Sequence, residues 1–206
     1  MNHHRKTFVA NEDGGPAAEF ALVLPLALLF FFGIIDIGRF MWEYNRAEKA
    51  TQMGTRYAVA TDVVSSGLST YSFAISCGIP QGTPVNSTQF TSSVCTSSQC
   101  KVTASCSGIP SGSTATAYNA AAFTRIVNRM QAFKGDIVPA NVTVTYANSG
   151  LGYAGDPNGL DVAPSTTVQV TGLRFNPIVL FNAVTFNMPA FSYSLTLEDG
   201  AGTVSN

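Results

Sequence analysis

The sequence predicts an α+β fold, in which a long N-terminal helix precedes a small antiparallel sheet with a second helix packed against it. Two observations support this prediction. The first is an apolar run near the N-terminus, and the second is a change of apolar spacing from the helical period to the strand period in the last third of the chain. The charged fraction is also low, at 11%, where ordinary soluble domains carry about 25%.

Length and net charge limit the classes of function. A chain of 206 residues has room for one domain and an appendage. The formal net charge of −1 provides no basic field to hold nucleic-acid phosphates. A nucleic-acid partner is therefore not expected.

The apolar run predicts a membrane span. Residues 20–35 contain no charged side chain, and the run extends back to residue 15 with only Glu19 interrupting it. A helix over 15–35 would be about 31 Å long, close to the ~30 Å hydrocarbon core of a bilayer. Three successive phenylalanines at 30–32 leave no polar face for a helix buried in a soluble protein. We expect a single span over about residues 16–37.

A cleaved secretory signal is the rival interpretation of this run. Such signals end in a small-x-small site a few residues after the apolar core. Residues 35–42 are instead bulky and charged, and the nearest suitable motif, at 58–60, lies too far along the chain. Conventional signal cleavage is therefore not expected.

The cysteines bear on which side of the membrane the rest of the chain lies. Their spacing fits no zinc template, and no histidine follows them, so two disulfides are predicted, with free thiols as the alternative. Disulfides indicate an oxidising compartment, which places the chain after the span outside the cytoplasm. The Lys/Arg count on the two sides of the span favours the reverse orientation, with that part of the chain inside the cell. Three pairings are possible for Cys77, Cys95, Cys100 and Cys106.

Four segments are predicted along the chain. Residues 1–14 form a polar cytoplasmic leader, and residues 15–64 form the N-terminal helix that includes the span. Residues 65–116 are rich in serine and threonine and are predicted to be an irregular insertion stapled by the disulfides. Residues 117–206 form a helix plus antiparallel strands outside the cytoplasm.

The second helix and the strands follow from apolar periodicity. A helix is predicted over residues 118–134, with Thr116 as its N-cap and Gly135 as its terminator. Strands are predicted where apolar and polar residues alternate, at 142–146, 168–170 and 191–197. The helical apolar positions are Phe123, Ile126, Val127, Met130 and Phe133.

Catalysis, metals and cofactors are not expected. The chain's two histidines, His3 and His4, lie in the leader, which removes Ser-His and Cys-His nucleophile systems from the later chain. No phosphate-binding glycine loop occurs. Asp156, Asn158 and Asp161 invite a calcium interpretation, but their spacing misses the EF-hand pattern, and a plain turn is favoured.

The start of the apolar run resembles the processing site of type IV prepilins. Gly14 is followed five places later by Glu19, in an otherwise apolar helix. The resemblance implies that a prepilin peptidase cuts between Gly14 and Gly15 on the cytoplasmic side. It also implies that Glu19 is a packing acid, which pairs with the new α-amino group of a neighbouring subunit and so lowers the cost of both charges.

A longer stretch, residues 14–58, is similar to the TadE-like family of tight-adherence pilus assembly proteins. The resemblance rests on Ala-Glu-Phe-Ala-Leu from residue 18, the internal Pro25, Gly-Ile-Ile-Asp at 33–36 with Gly-Arg at 38–39, and Gly-Thr-Arg-Tyr-Ala at 54–58. The C-terminal half is similar more loosely, around Phe-Asn-Pro at 175–177. Pro16, just after the implied cut, departs from the family pattern, and residues 65–116 are not part of the resemblance.

The resemblance implies a pilin-like fold and the role of a minor pseudopilin. Such a protein lies in the bacterial inner membrane with its N-terminus in the cytoplasm and its C-terminal domain in the periplasm or outside the cell. Its partners are the prepilin peptidase, other pilin-like subunits, the assembly machinery and the lipid bilayer. The alternative is a membrane-anchored extracytoplasmic binding module or adhesin, which would not need Gly14 or Glu19.

Overall fold

The structure is a computed structural model that describes residues 14–157, 159–178, 184–197 and 200–202. It confirms the α+β class: a long apolar N-terminal helix is followed by an antiparallel sheet and a further helix. Two compact units divide the chain, one of residues 1–42 with 175–186 and one of residues 43–174 with 187–206. Most of the predicted leader, including both histidines, lies outside the described residues.

Helix α1 runs over Gly15–Val59 without interruption, including Pro25. The prediction that it continues to about residue 64 is wrong by five residues. Thr61, Val63 and Val64 are β-branched, and such side chains favour helices less. The Thr61 hydroxyl and the Ala60 N–H both donate to the Tyr57 carbonyl. These hydrogen bonds satisfy a carbonyl of the last turn, and the helix ends there.

The second unit is built on a five-stranded antiparallel sheet. Its strands are β1 Ser92–Cys95, β2 Cys100–Thr103, β3 Val142–Ala147, β4 Ser165–Val170 and β7 Phe191–Thr196. Their order across the sheet is β2-β1-β3-β4-β7. The predicted strands over 142–146, 168–170 and 191–197 are present as β3, β4 and β7, each with slightly different ends. Residues 142, 144 and 146 of β3 are buried and alternate with half-buried ones, as a period of two requires.

The prediction that residues 65–116 are irregular is wrong, because β1 and β2 lie within them and join the sheet. A turn closed by the Thr96 N–H on the Gln99 carbonyl connects the two strands. Each strand has four residues, which is too short for an alternating pattern to stand out in a serine-rich sequence. Two short helices precede them, α2 over Ser66–Ser69 and α3 over Phe73–Ser76.

Helix α4 spans Ala120–Gln131, which is shorter than the predicted 118–134. Its N-cap is Asn119 and not Thr116, because the Asn119 side chain accepts the Ala122 N–H at 3.0 Å. The helix also ends before Gly135, so that residue is not its terminator. The apolar face is confirmed at Phe123, Ile126, Val127 and Met130, which are all buried, whereas Phe133 is half-buried.

Within the second unit, the C-terminal part of α1 packs closely on α4 through small residues. A Cβ added at Gly54 would lie 2.6 Å from the Met130 Cγ, closer than real side chains approach. Thr51 and Thr55 are buried and donate their hydroxyls back to carbonyls one turn earlier. Close packing against the Met130 side chain, and not backbone conformation, therefore favours glycine at 54.

A two-stranded sheet completes the described elements, with β5 over Arg174–Phe175 and β6 over Phe186–Asn187. The loop over residues 150–161 is a turn, as predicted, in its described part. The Asp161 carboxylate accepts the backbone N–H groups of Phe73 at 2.6 Å and Asp156 at 3.1 Å, so it binds loop backbone. Asn158, the other residue of the rejected calcium interpretation, lies outside the described residues.

Candidate functional site

The predicted cleavage point lies at the very start of α1. The helix begins at Gly15, immediately after Gly14, and both residues are exposed. Apart from the neighbouring residues and the backbone of the helix itself, no atom of the described residues lies within 4 Å of the position that a Cβ would occupy at either glycine. Among the described residues, no side chain therefore covers this peptide bond, and an uncovered bond is the steric condition that processing between Gly14 and Gly15 requires.

Glu19 lies one turn after Gly15 and is exposed. Residues four apart share one face of a helix, so Glu19 and the Gly15 backbone nitrogen lie on the same side of α1. The described part of the chain offers the Glu19 carboxylate no hydrogen bond and no ion pair. A carboxylate in an apolar helix is costly to leave unpaired in lipid.

The predicted span is apolar on all sides and almost entirely exposed. One helix among the described residues, α1, is long and apolar enough to cross a membrane, and only 6% of its most apolar 18-residue window is buried. The bare side chains include Phe20, Leu22, Leu26, Phe30, Phe31 and Ile35. A core helix of a soluble protein would bury such residues, so this helix fits a single-pass membrane anchor.

Asp36, the first acid after the uncharged run, is buried in the first unit, with 8% of its surface exposed. Its Oδ1 accepts the backbone N–H of Ile178 at 3.0 Å and the Arg39 Nη1 donor at 3.0 Å. Because charge-assisted hydrogen bonds are stronger than neutral ones, this carboxylate fastens the segment that starts at residue 175 to α1. Sequence reasoning assigned Asp36 no role beyond its part in the family resemblance.

Aromatic packing supports the same attachment. The Phe175 ring lies edge-on to Phe40, with 5.3 Å between the ring centroids. On the same ring, the Arg39 guanidinium lies 5.5 Å from the centroid, within the range of a cation–π contact. We call Asp36, Arg39, Phe40, Phe175 and Ile178 the clasp. The only signal for it in the sequence was that Gly-Arg at 38–39 and Phe-Asn-Pro at 175–177 both contribute to the family resemblance.

In the second unit, a buried lysine holds the chain after α4 to α1. Lys134 is 2% exposed, and its Nζ forms ion pairs with the carboxylates of Glu43 and Asp136. Arg46 adds a hydrogen bond of 2.9 Å from its Nε to the Phe133 carbonyl. A lysine is rarely so deeply buried unless it is paired, so these contacts explain its position.

Tyr146, at the centre of the sheet, closes the turn after α1. It is fully buried, and its hydroxyl accepts the Val64 N–H at 3.0 Å. Burial raises the pKa of the Tyr146 hydroxyl well above its usual value, and the hydrogen bond from Val64 offsets a part of that increase. The hydroxyl therefore stays neutral throughout the physiological pH range.

The structure pairs the four cysteines as Cys77–Cys106 and Cys95–Cys100. The second bridge joins residues that face each other across β1 and β2, while the first ties α3 to the chain after β2. Sequence spacing left the pairing open. Among the described residues no group of three or more His, Cys, Asp or Glu side chains could hold a metal ion.

Comparison with known protein families gives a match that covers most of α1. The family model for TadE-like protein matches residues 14–56, about a fifth of the chain. The match begins at Gly14, contains Glu19 and the α1 residues of the clasp, and ends close to the end of α1. It indicates involvement in tight-adherence pilus systems. No curated protein and no solved structure matches the chain.

Proposed function

We propose that this chain is a TadE-like minor pseudopilin that helps to assemble or initiate a tight-adherence pilus. One observation carries the proposal. An exposed apolar helix starts at Gly15, directly after Gly14, and the family match starts at the same place. A pilin-like subunit that is held in the membrane before assembly needs a processing site followed by a helix of this length and polarity.

The mechanism is helix packing and involves neither catalysis nor a cofactor. The N-terminal half of α1 exposes large apolar side chains all round, so lipid chains solvate it before assembly. Assembly then exchanges lipid contacts for contacts with the helices of other pilin-like subunits. Since lipid tails are as apolar as leucine, close packing and polar contacts drive this exchange more than the hydrophobic effect does.

Glu19 supplies the polar contact. A prepilin peptidase that cuts after Gly14 creates a cationic α-amino group on Gly15 at the membrane surface. Pairing that group with Glu19 of a neighbouring subunit gives the carboxylate the partner that its own described chain lacks. The same pair sets the axial register between neighbouring helices.

The proposed location is the bacterial inner membrane, with the N-terminus in the cytoplasm and the sheet-bearing unit in the periplasm or outside the cell. The two disulfides support this orientation, because such bonds persist in oxidising compartments. The Lys/Arg balance around the span argues the other way, but long trailing domains weaken that rule.

The mature N-terminus tests the proposal most directly. We expect intact mass and N-terminal sequencing of protein from its native membrane to show a chain that starts at Gly15, and only in cells that contain the prepilin peptidase. Gly14→Ala should leave the precursor uncut. Gly33→Ala is the matched control, because it adds the same methyl group to open space within the same helix. An uncut native chain in both strains would contradict the proposal and favour a membrane-anchored binding module or adhesin.

Glu19→Ala tests the packing role separately. We expect the variant to be processed and to insert, since removing a charge from an apolar helix makes insertion easier. It should, however, pull down fewer pilin-like subunits and support fewer pili. Normal pilus numbers with this variant would remove Glu19 from the mechanism without affecting the processing site.

A further inference from the structure

The end of the predicted span carries a second apolar element that is not helical. In the first unit, the clasp fastens residues 175–178 to α1 at Asp36, in the last turn of the span. The hydrogen bond from Ile178 to Asp36 fixes the depth of this segment, because Ile178 has to lie level with that turn. With residues 184–186 of the same unit, we call it the interfacial segment.

The interfacial segment carries no charged residue and exposes three of its apolar side chains, while Phe175 and Pro177 are buried. Its described residues are Phe-Asn-Pro-Ile and Val-Thr-Phe. Ile178 is 58% exposed, Val184 42% and Phe186 50%. On α1, at the last residue of the span and just past it, Ile37, Met41 and Trp42 are also exposed. Exposed apolar surfaces of this kind mark places where a protein meets a partner or a membrane.

We propose that the interfacial segment inserts into the boundary between lipid headgroups and acyl chains, as a second membrane contact of this chain. This inference rests on the proposed membrane span and goes beyond it. The partner is a phospholipid surface, and it is favoured because the segment is continuous with the bare apolar surface of the span and is held at its end.

Backbone hydrogen bonding decides whether the segment lies at the lipid boundary or deeper, in the hydrocarbon core. Irregular backbone is not tolerated in contact with lipid in the core, where unpaired N–H and C=O groups have no water. At the boundary such groups remain hydrated while apolar side chains are buried. Trp42 lies five residues beyond the predicted end of the span at residue 37, about 7.5 Å along the helix axis, which is within an interfacial zone of roughly 5–8 Å. Tryptophan is enriched at that depth.

Because of the clasp, the segment contacts the membrane on one side of α1 only. Asp36 accepts both Arg39 and the Ile178 N–H, so a charged pair at the edge of the bilayer is satisfied within the protein. Because the segment attaches to one side of α1, its insertion would fix the rotation of the helix about its own axis. That rotation decides which helix face is presented to other subunits.

Tryptophan quenching by brominated lipids tests the proposal on the full chain in phosphatidylcholine vesicles. The chain has one tryptophan, so Trp42→Phe provides a silent background. Ile178→Trp and Phe186→Trp then report on the segment independently, and circular dichroism checks that each variant folds. Ile75→Trp is the matched control, because Ile75 is 85% exposed in the second unit. Phe31→Trp reports on the span.

We expect bromines placed near the headgroups to quench the Ile178→Trp and Phe186→Trp variants at least about threefold more than the Ile75→Trp control. Deep bromines should quench Phe31→Trp most strongly. If Phe31→Trp is quenched while the segment variants behave like the control, the span stands and the interfacial contact is overturned. If Phe31→Trp is not quenched, the proposed span fails as well. If added pilin-like subunits shield the segment and lipid bromines do not reach it, the segment is a protein-docking site and the lipid assignment is wrong.

Discussion

The carboxylate of Asp36 accepts the backbone N–H of Ile178 at 3.0 Å, across 142 residues of sequence. Asp36 stands where the uncharged run ends, and Ile178 lies three residues after the end of β5. One buried carboxylate therefore determines where the interfacial segment meets the helix. The relationship gives a direct test of how the first unit is held together.

Asp36→Ala should release the segment. It removes the acceptor for Ile178 and the ion pair with Arg39, and hydrogen bonds to charged groups contribute about 1.5–3 kcal/mol each. We expect the Ile178 amide to exchange its hydrogen roughly 10- to 100-fold faster, measured by hydrogen exchange in detergent micelles. Asp36→Asn, which keeps an acceptor oxygen, should show a smaller increase.

Glu19→Ala serves as the control for that experiment, since it removes an exposed acid with no described partner from the same helix. Equal exchange rates at Ile178 in Asp36→Ala and Glu19→Ala would show that the clasp does not hold the segment.

Gly54→Ala should destabilise the second unit although alanine is the better helix former. The added methyl would meet the Met130 Cγ at 2.6 Å and its Sδ at 2.8 Å. Overpacking costs about 1–3 kcal/mol, which exceeds the gain of about 0.5–1 kcal/mol from replacing glycine in a helix. We expect a net loss of about 1–2 kcal/mol in the free energy of unfolding, measured by urea titration.

Two further variants make the Gly54 result specific. Gly38→Ala lies in the same helix with open space around the new Cβ, and it should cause no loss. Met130→Val combined with Gly54→Ala should recover part of the stability, because a shorter side chain makes room. Equal stabilities for Gly54→Ala and Gly38→Ala would argue against close packing of α1 on α4.

The two disulfides should differ in their contribution to stability. Cys77 and Cys106 are 29 residues apart, whereas Cys95 and Cys100 are 5 apart. In the loop-entropy model, closing the longer loop contributes about 3–4 kcal/mol and closing the shorter one about 2 kcal/mol. Replacing Cys77 and Cys106 by alanine should therefore lower the unfolding midpoint more than the same change at Cys95 and Cys100. The reverse order would mean that packing at the turn between β1 and β2 outweighs chain entropy.

Strong periodic signals predicted the framework of this fold well. The apolar run, the buried face of α4 and the alternation in β3 each depend on a physical period that is visible in the sequence. Strands β1 and β2 were missed because Ser-Ser-Val-Cys and Cys-Lys-Val-Thr are too short to show a period.

The clasp could not be predicted for a different reason. Its hydrogen bond joins positions that nothing local relates, so Asp36 looked like the first charge after a span and Ile178 like one residue of an apolar stretch. The cleavage point and Glu19, by contrast, rest on a short local pattern, which is why sequence alone could suggest them. Long-range partners are set by tertiary packing, which a single sequence does not display.

Tyr146→Phe should change how stability depends on pH. Because burial raises the pKa of the folded Tyr146 hydroxyl, the unfolded chain ionises first, near its ordinary value of 10.0. Above that pH the unfolded state binds fewer protons than the folded state, so the free energy of unfolding falls, by up to about 1.4 kcal/mol per pH unit. Urea titrations between pH 8 and about pH 10.5 should show this decline in the native chain and a shallower one in Tyr146→Phe.

A second effect of Tyr146→Phe is independent of pH and has to be separated from the first. At neutral pH the variant should already lose about 1–3 kcal/mol, because the Val64 N–H is left unpaired. Tyr153→Phe is the control, because it removes the same hydroxyl from an exposed tyrosine of the second unit. Parallel profiles for the native chain and Tyr146→Phe would show that the Tyr146 hydroxyl ionises as easily in the folded state as in the unfolded one.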